Sequence, residues 1–205
     1  MAATVVTAVG KTMFADRVRG TPGTYTNPPK IVCHGAYTAG TKTGLVTDAA
    51  LLFEKETRVT GVESVVTGTY TGDTYQVTGT ITATGAYSAV EAALNDTSGS
   101  AAFHTTASGA TGTGTSVTVA GAGPSATMVV QCEDEVWNVT AGGTTTTWTV
   151  TRGYGLVAAT TTNVTHAGGS DIGRNVGNYF TSATFTAIGL STNDSVAYTW
   201  QVKLT

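Results

Sequence analysis

The chain has 205 residues, of which only 11% are charged, and its 10 basic and 13 acidic side chains leave a net charge of −3 at pH 7. So few and so scattered basic residues exclude a phosphate-gripping nucleic-acid surface, which needs clustered Lys and Arg. Hydrophobic residues at 40% exclude gross disorder, and no run approaches the ~20 apolar residues of a membrane span.

Threonine and glycine dominate, with 26 Gly against 4 Pro. Thr and Val are β-branched and suit half-exposed strands, while Gly punctuates turns, so the expected fold is all-β. The opening "MAATVVTAVGKTMFADRVRG" has no basic start followed by a long apolar core, and no secretory signal is expected. Within residues 1–30, Val5 to Val18 offers an amphipathic patch that Gly10 weakens as a long helix. Tyr25 to Pro29 must be extended or turning, because residues before proline avoid the helical region. Residues 1–30 are therefore expected to form an extended N-terminal arm or an edge-covering segment.

Strand signals follow in series. "KIVCHGAYTAG" is a short apolar run ended by glycine, and "DAALLFEKETRVTG" offers one helical turn with Asp48 as N-cap. "ESVVTGTYTG" and "DTYQVTGTITATG", separated at Gly72-Asp73, read as a hairpin. Its buried face takes Tyr75, Val77, Gly79, Ile81 and Ala83, and its other face Gln76, Thr78, Thr80 and Thr82. "AYSAVEAALND" is the most helix-tolerant or irregular segment. At the far end Phe180, Ala183, Phe185 and Ile188 precede a Ser-Thr-Asn-Asp turn. Val196, Tyr198, Trp200, Val202 and Leu204 then alternate with Ala197, Thr199, Gln201 and Lys203 in the cleanest strand of the sequence.

Between these parts lies a different texture. "TASGATGTGTSVTVAGAGPSA" reads as a Gly/Thr/Ser-rich linker, and "TMVVQCEDEVWNVTAGGTTTTWTVTRGYG" as three short strands with turns at Asp134 and Ala141-Gly142-Gly143. The expected organisation is a β-sandwich (immunoglobulin-like or jelly-roll-like) from residues 31–100 plus 176–205, interrupted by an inserted small β-domain at 101–175.

The residues "VTGTYTGDTYQVTGTITATGAYSAVEAALND" and "FTAIGLSTNDSVAYTWQV" resemble segments of tailed-bacteriophage virion proteins. The stretch "VVQCEDEVWNVTAGGTTTTWTVTRGYGLVAATTTNVTHAGG" resembles a second phage β-module, "TWTVTRGYG" being its most specific part. Together these cover about two-thirds of the chain. The resemblance implies a virion structural protein, either a capsid decoration protein or a tail or fibre component, and fold alone does not choose between them.

The chemistry-bearing residues do not assemble into a site by sequence spacing. His34, His104 and His166 are isolated, with no pairing to begin a zinc site, and are expected at loops or strand edges. "CEDE", Cys132 to Glu135, lacks the alternating oxygen ligands of a calcium loop and is expected to be a hairpin turn with solvated carboxylates. Glu54, Glu56 and Glu63 are not positioned as a glycosidase pair, and the adjacent Lys55 and Arg58 predict surface ion pairs. No nucleophile elbow or phosphate loop occurs, and the Asn-x-Thr triplets at Asn95, Asn138 and Asn163 are what a Thr-rich chain yields by chance. Cys33 and Cys132 are expected to be two buried free thiols. Trp148 and Val150 are expected in the core of the small domain, Arg152-Gly153 making the turn over it.

The expectation is a non-enzymatic capsid decoration or cement protein without cofactor or metal, on the phage head and made in the host cytoplasm. Its partners would be the major capsid protein and neighbouring copies of itself, as a homotrimer, with neither nucleic acid nor membrane involved. Its contacts would come from the arm, through Phe14, Arg17, Arg19, Tyr25, Pro28 and Pro29. The alternatives are a tail or tail-fibre component, or a carbohydrate-binding adhesion module presenting Trp148, Tyr154 or Trp137 to host glycans.

Overall fold

The computed structural model describes residues 3–18, 29–38, 50–67, 74–98, 104–110, 114–154 and 165–203. In chain order these form β1 (Ala3–Val6), α1 (Ala8–Val18), β2 (Ile31–Gly35), β3 (Val59–Thr60), β4 (Val62–Val66), β5 (Thr74–Thr82) and β6 (Tyr87–Asn95). There follow β7 (His104–Ala110), β8 (Ser116–Thr118), β9 (Met128–Cys132), β10 (Glu135–Ala141), β11 (Thr147–Arg152), β12 (His166–Arg174), β13 (Tyr179–Leu190) and β14 (Ser195–Lys203). Among the described residues the protein is all-β apart from one helix. Its strands make a five-stranded sheet (β1-β13-β6-β2-β3), a three-stranded sheet (β14-β5-β4) and a six-stranded sheet (β7-β12-β9-β10-β11-β8).

The first two sheets share one core, built from Val32, Val77, Ile81, Ala92, Leu94, Phe180, Ala183 and Trp200, with Met13 from α1. The alternation read from the sequence is what builds it: Val77, Gly79 and Ile81 of β5 are buried while Thr80 and Thr82 are exposed. β14 pairs with β5 in continuous register from Ser195–Thr82 to Lys203–Thr74. The chain crosses from one sheet to the other at Gly61, between β3 and β4, whose N–H donates to the Lys30 carbonyl at 2.8 Å. A Cβ there would lie 2.5 Å from a Val77 methyl, so the crossing requires glycine.

Three expectations are corrected here. Residues 3–18 are not a free extended arm but cover a sheet edge, the second of the two forms expected. β1 pairs antiparallel with β13, and α1 packs on the same strand. Thr7 caps the helix: its hydroxyl accepts the Gly10 N–H at 3.0 Å and donates to the Tyr179 carbonyl. Gly10, which weakens the helix by propensity, is needed for its docking, because a Cβ there would lie 2.1 Å from the Phe180 carbonyl oxygen. The segment "AYSAVEAALND" is not helical or irregular but the central strand β6, hydrogen-bonded to β13 and β2. Residues 91–95 are buried throughout, Glu91 and Asn95 included, so this half of the strand shows no alternation, and periodicity cannot separate such a run from a buried helix. Nor is there a helical turn at Leu51–Glu54; Leu51 and Leu52 are buried and Glu54 bridges to Gly35 in extended pairing, while Asp48 lies outside the described residues.

The six-stranded sheet is drawn wholly from residues 104–174, within the expected insert. It curls until its end strands meet: Ala107 of β7 bridges to Val119, just after β8, and the Ala120 N–H donates to the Thr106 carbonyl at 2.9 Å. Closing a sheet in this way removes its exposed edges. Trp137 and Trp148 fill the enclosed core with Val130, Val139, Val150, Met128 and Ile172.

Candidate functional site

The insert leaves the sandwich after Asn95 of β6 and returns before Tyr179 of β13, two residues that are paired in register. Arg58 sits between the crossings. Its guanidinium donates to both carboxylate oxygens of Glu54, at 2.6 and 3.0 Å. It also donates to Asn95 Oδ1 (3.1 Å) and to the carbonyls of Thr97 (2.8 Å) and Val176 (2.9 Å), one on each crossing. Burial is the largest single influence and opposes the charge, but the Glu54 hydrogen bonds together with the electrostatic pull of Tyr179, Cys33 and Glu54 exceed it and raise the Arg58 pKa. The pair is buried, not the surface ion pair expected from sequence. Asp96 adds a second tie, accepting from the Asn178 N–H and side-chain amide at 2.8 Å each.

A strap, residues 36–54 as far as described, joins the two units from the side. Thr38 N–H donates to Asp171 Oδ2 (2.7 Å), Ala50 N–H to Gln131 Oε1 (2.9 Å) and Leu52 N–H to Glu91 Oε1 (2.5 Å). All three acceptor side chains are buried, two in the insert and one in the sandwich. Gly173 of β12 approaches the strap so closely that a Cβ would lie 1.6 Å from the Leu51 carbonyl oxygen.

The densest polar cluster lies in the insert, at the hairpin between β9 and β10. His166 is held between two acids, Nδ1 to Glu133 Oε2 and Nε2 to Glu135 Oε2, both at 2.7 Å. Arg152 makes a two-pronged contact with Glu135, at 3.0 and 2.5 Å, and lies 5.3 Å from the Trp137 ring centre. Ser170 donates to Glu133 at 3.1 Å. Burial alone would raise the Glu135 pKa, but hydrogen bonds from His166 and Arg152 overcome it and hold the carboxyl at about 2. The expected solvated turn is therefore a buried charge network. With both imidazole nitrogens held by carboxylates and Arg152 held by Glu135, the cluster braces the hairpin.

His34 is also buried, not at a loop or strand edge. Its Nδ1 meets the Tyr198 hydroxyl at 2.9 Å and its Nε2 the Tyr87 hydroxyl at 2.8 Å. Burial lowers its pKa to about 4, against a smaller opposing pull from Glu56. A neutral ring donates from one nitrogen and accepts at the other, which two hydroxyls satisfy. The side chain of His104 lies outside the described residues. Both cysteines are buried free thiols. Among the described residues no group of three or more His, Cys, Asp or Glu is arranged to hold a metal ion, and no helix is long and apolar enough to cross a membrane.

The contact residues expected on the arm separate. Phe14 projects from α1, 43% exposed, next to the buried Met13. Pro29 is half-buried just before β2. Arg17 falls in the last turn of α1, but its side chain, with Arg19, Tyr25 and Pro28, lies outside the described residues. Of the aromatics offered for glycan stacking, Trp148 is 0% exposed, and its indole N–H donates to the Thr145 carbonyl at 2.9 Å. Trp137 is equally buried. Neither can stack on a sugar, because each is enclosed in the core of the small sheet. Tyr154 is 45% exposed, just beyond β11. No family model matches the chain, and comparison with curated proteins and with solved structures found no significant match.

Proposed function

We propose that this chain is a structural protein of a tailed-bacteriophage particle, decorating the outside of the head shell. The observation that carries this reading is the coincidence of two boundaries. The stretches resembling one phage virion segment fall on β5, β6, β13 and β14 of the sandwich, and the stretch resembling the second module falls on β9 to β12, within the separate sheet of the insert. Each unit has its own core, as grafted modules require. The polar networks support the same reading, since Glu54, Arg58, Glu135, Arg152 and His166 are spent on internal ties. A shell protein held through many identical copies gains its grip from repetition, so modest contacts on each copy suffice.

The helix α1 replaces the expected long arm as the nearest described contact element, with Phe14 as its exposed apolar residue. Deleting residues 1–30 would remove β1 and Met13 from the fold, so a point substitution at Phe14 is the cleaner probe. Imaging purified particles by cryo-electron microscopy tests the placement. Density on the shell in copy number tied to the capsomers is the expected result; density confined to the tail would replace this reading with a tail component. The adhesion reading keeps only Tyr154 of its three aromatics.

A further inference from the structure

The two most exposed large apolar residues among those described, Val62 at 74% and Val65 at 67%, both lie on β4. β4 is an edge: among the described residues it pairs only with β5, leaving its other side without a strand neighbour. Folded proteins usually blunt such an edge with charge, proline or a covering element, and an apolar open edge is a template for pairing with another strand. β4 carries one charge, Glu63, and that side chain is already engaged by Lys30 Nζ at 2.8 Å and the Tyr75 hydroxyl at 3.1 Å.

We infer that β4 is a self-association edge whose partner is β4 of a second copy of this chain, paired antiparallel about a two-fold axis at Ser64. The sequence Val62-Glu63-Ser64-Val65-Val66 is self-complementary in that register. Val62 falls opposite Val66 of the other copy, and Ser64 opposite itself, on the outer face shared with Thr78, Gln76 and Thr74. Glu63 falls opposite Val65, so the two carboxylates are not directly opposed, and like charges directly opposite are what destabilises a strand pair. The outer face also carries a polar ladder, Gln201 to Gln76 at 2.8 Å and Gln76 to Ser64 at 3.4 Å, which ends at the axis and would continue into the second copy. The two three-stranded sheets would become one six-stranded sheet, an isologous contact that closes on itself. A pairing of five residues a side is small, so the dimer is concentration-dependent. The inference is independent of where on a particle the protein resides.

Sedimentation velocity of the full chain across a concentration series reads this directly. The expected result is a species of twice the chain mass that grows with concentration, weakened at least about tenfold by Val62→Lys with Val65→Glu, which sets a charge against the apolar Val66 and a carboxylate directly against Glu63 of the other copy. Both side chains are exposed, so an unchanged far-ultraviolet circular dichroism spectrum certifies the fold. Single-cysteine variants fix the register independently. Across an antiparallel pair, Cα atoms at the axis lie about 4.5–5.5 Å apart, within disulfide reach, whereas diagonal positions are about 7–8 Å apart. Ser64→Cys should therefore cross-link under mild oxidation much faster than Glu63→Cys. A chain that stays monomeric throughout, a dimer indifferent to the charged substitutions at Val62 and Val65, or equal cross-linking at both positions would overturn the inference.

Discussion

Arg58 donates two hydrogen bonds to Glu54, at 2.6 and 3.0 Å, with both side chains buried where the chain leaves the sandwich and returns to it. Four residues apart in sequence, they are not on a helix; the pair spans a sharp extended turn between Leu52 and β3. The remaining guanidinium hydrogens reach Asn95, Thr97, Val176 and the Tyr179 hydroxyl, so one side chain gathers both crossings.

Removing one partner of a buried pair leaves the other charge uncompensated, at a cost of about 3–5 kcal/mol. Arg58→Met should lower stability by that order in urea unfolding, and open the crossings near Thr97 and Val176 to limited proteolysis before the rest of the chain. Replacing both residues, Arg58→Met with Glu54→Leu, should recover part of the loss. Arg58→Met at wild-type stability would contradict the buried pairing.

His34 sets a pH dependence in the mildly acidic range. The unfolded chain takes up this proton near 6.5, whereas burial delays uptake in the folded state to about 4. Between those values the unfolded state binds more protons, so this contribution is full above pH 6.5 and declines as the pH falls toward 4. His34→Gln should flatten the stability profile across that window, and NMR should find the wild-type ring still neutral at pH 5.

Glu135 acts in a lower window, with the carboxylate sign. Its folded pKa is depressed from 4.5 to about 2, so its contribution is full above 4.5 and is lost as the pH falls through the interval to 2. Glu135→Gln should remove this acid limb and, at neutral pH, strand Arg152 and His166. Thermal melts at pH 7 and at pH 3 should then differ less in the variant than in the parent.

Trp148→Ala should cost about 3–5 kcal/mol by emptying the centre of the insert's core, whereas Tyr154→Ala should fall within about 0.5 kcal/mol as an exposed substitution. Calorimetry of both variants checks this. A glycan array on the full chain distinguishes adhesion: Tyr154→Ala would have to abolish any signal for that reading to stand.

Phe14→Asp should leave stability nearly unchanged, since the ring is largely solvent-exposed on α1. It should nonetheless weaken attachment to purified shells in a pelleting assay; full attachment would remove α1 from the contact surface.

Much of the fold was legible from alternation. The parity of Val77 and Ile81, and of Val196, Tyr198 and Trp200, gave the sandwich its inward faces, and the strands of the six-stranded sheet lie within the stretch of changed texture. β6 was illegible because Ala, Glu and Leu favour helix and its far half is buried without alternation. The buried network of the insert was partly readable. Glu135 shares parity with Trp137 and Val139, and Arg152 with Trp148 and Val150, which places both charges on the inner face. Reading "CEDE" as a solvated turn passed over that parity. His166, brought from 31 residues further along, has no local signal at all. The same holds for Arg58, whose acceptors lie as far away as Val176.

The insert's two ends emerge from Asn95 and Tyr179, paired neighbours in one sheet. Cut there, β6 and β13 would need only a short turn to become an ordinary hairpin, and the sandwich would keep every strand. The site is thus a socket: evolution, or an engineer, can exchange one cassette for another without redesigning the host. The strap sets the terms of exchange, since a newcomer must bring its own acceptors for the backbone amides of Thr38 and Ala50 and a position as bare as Gly173 beneath Leu51. Cassettes lacking those three features should fold in place yet swing on their crossings.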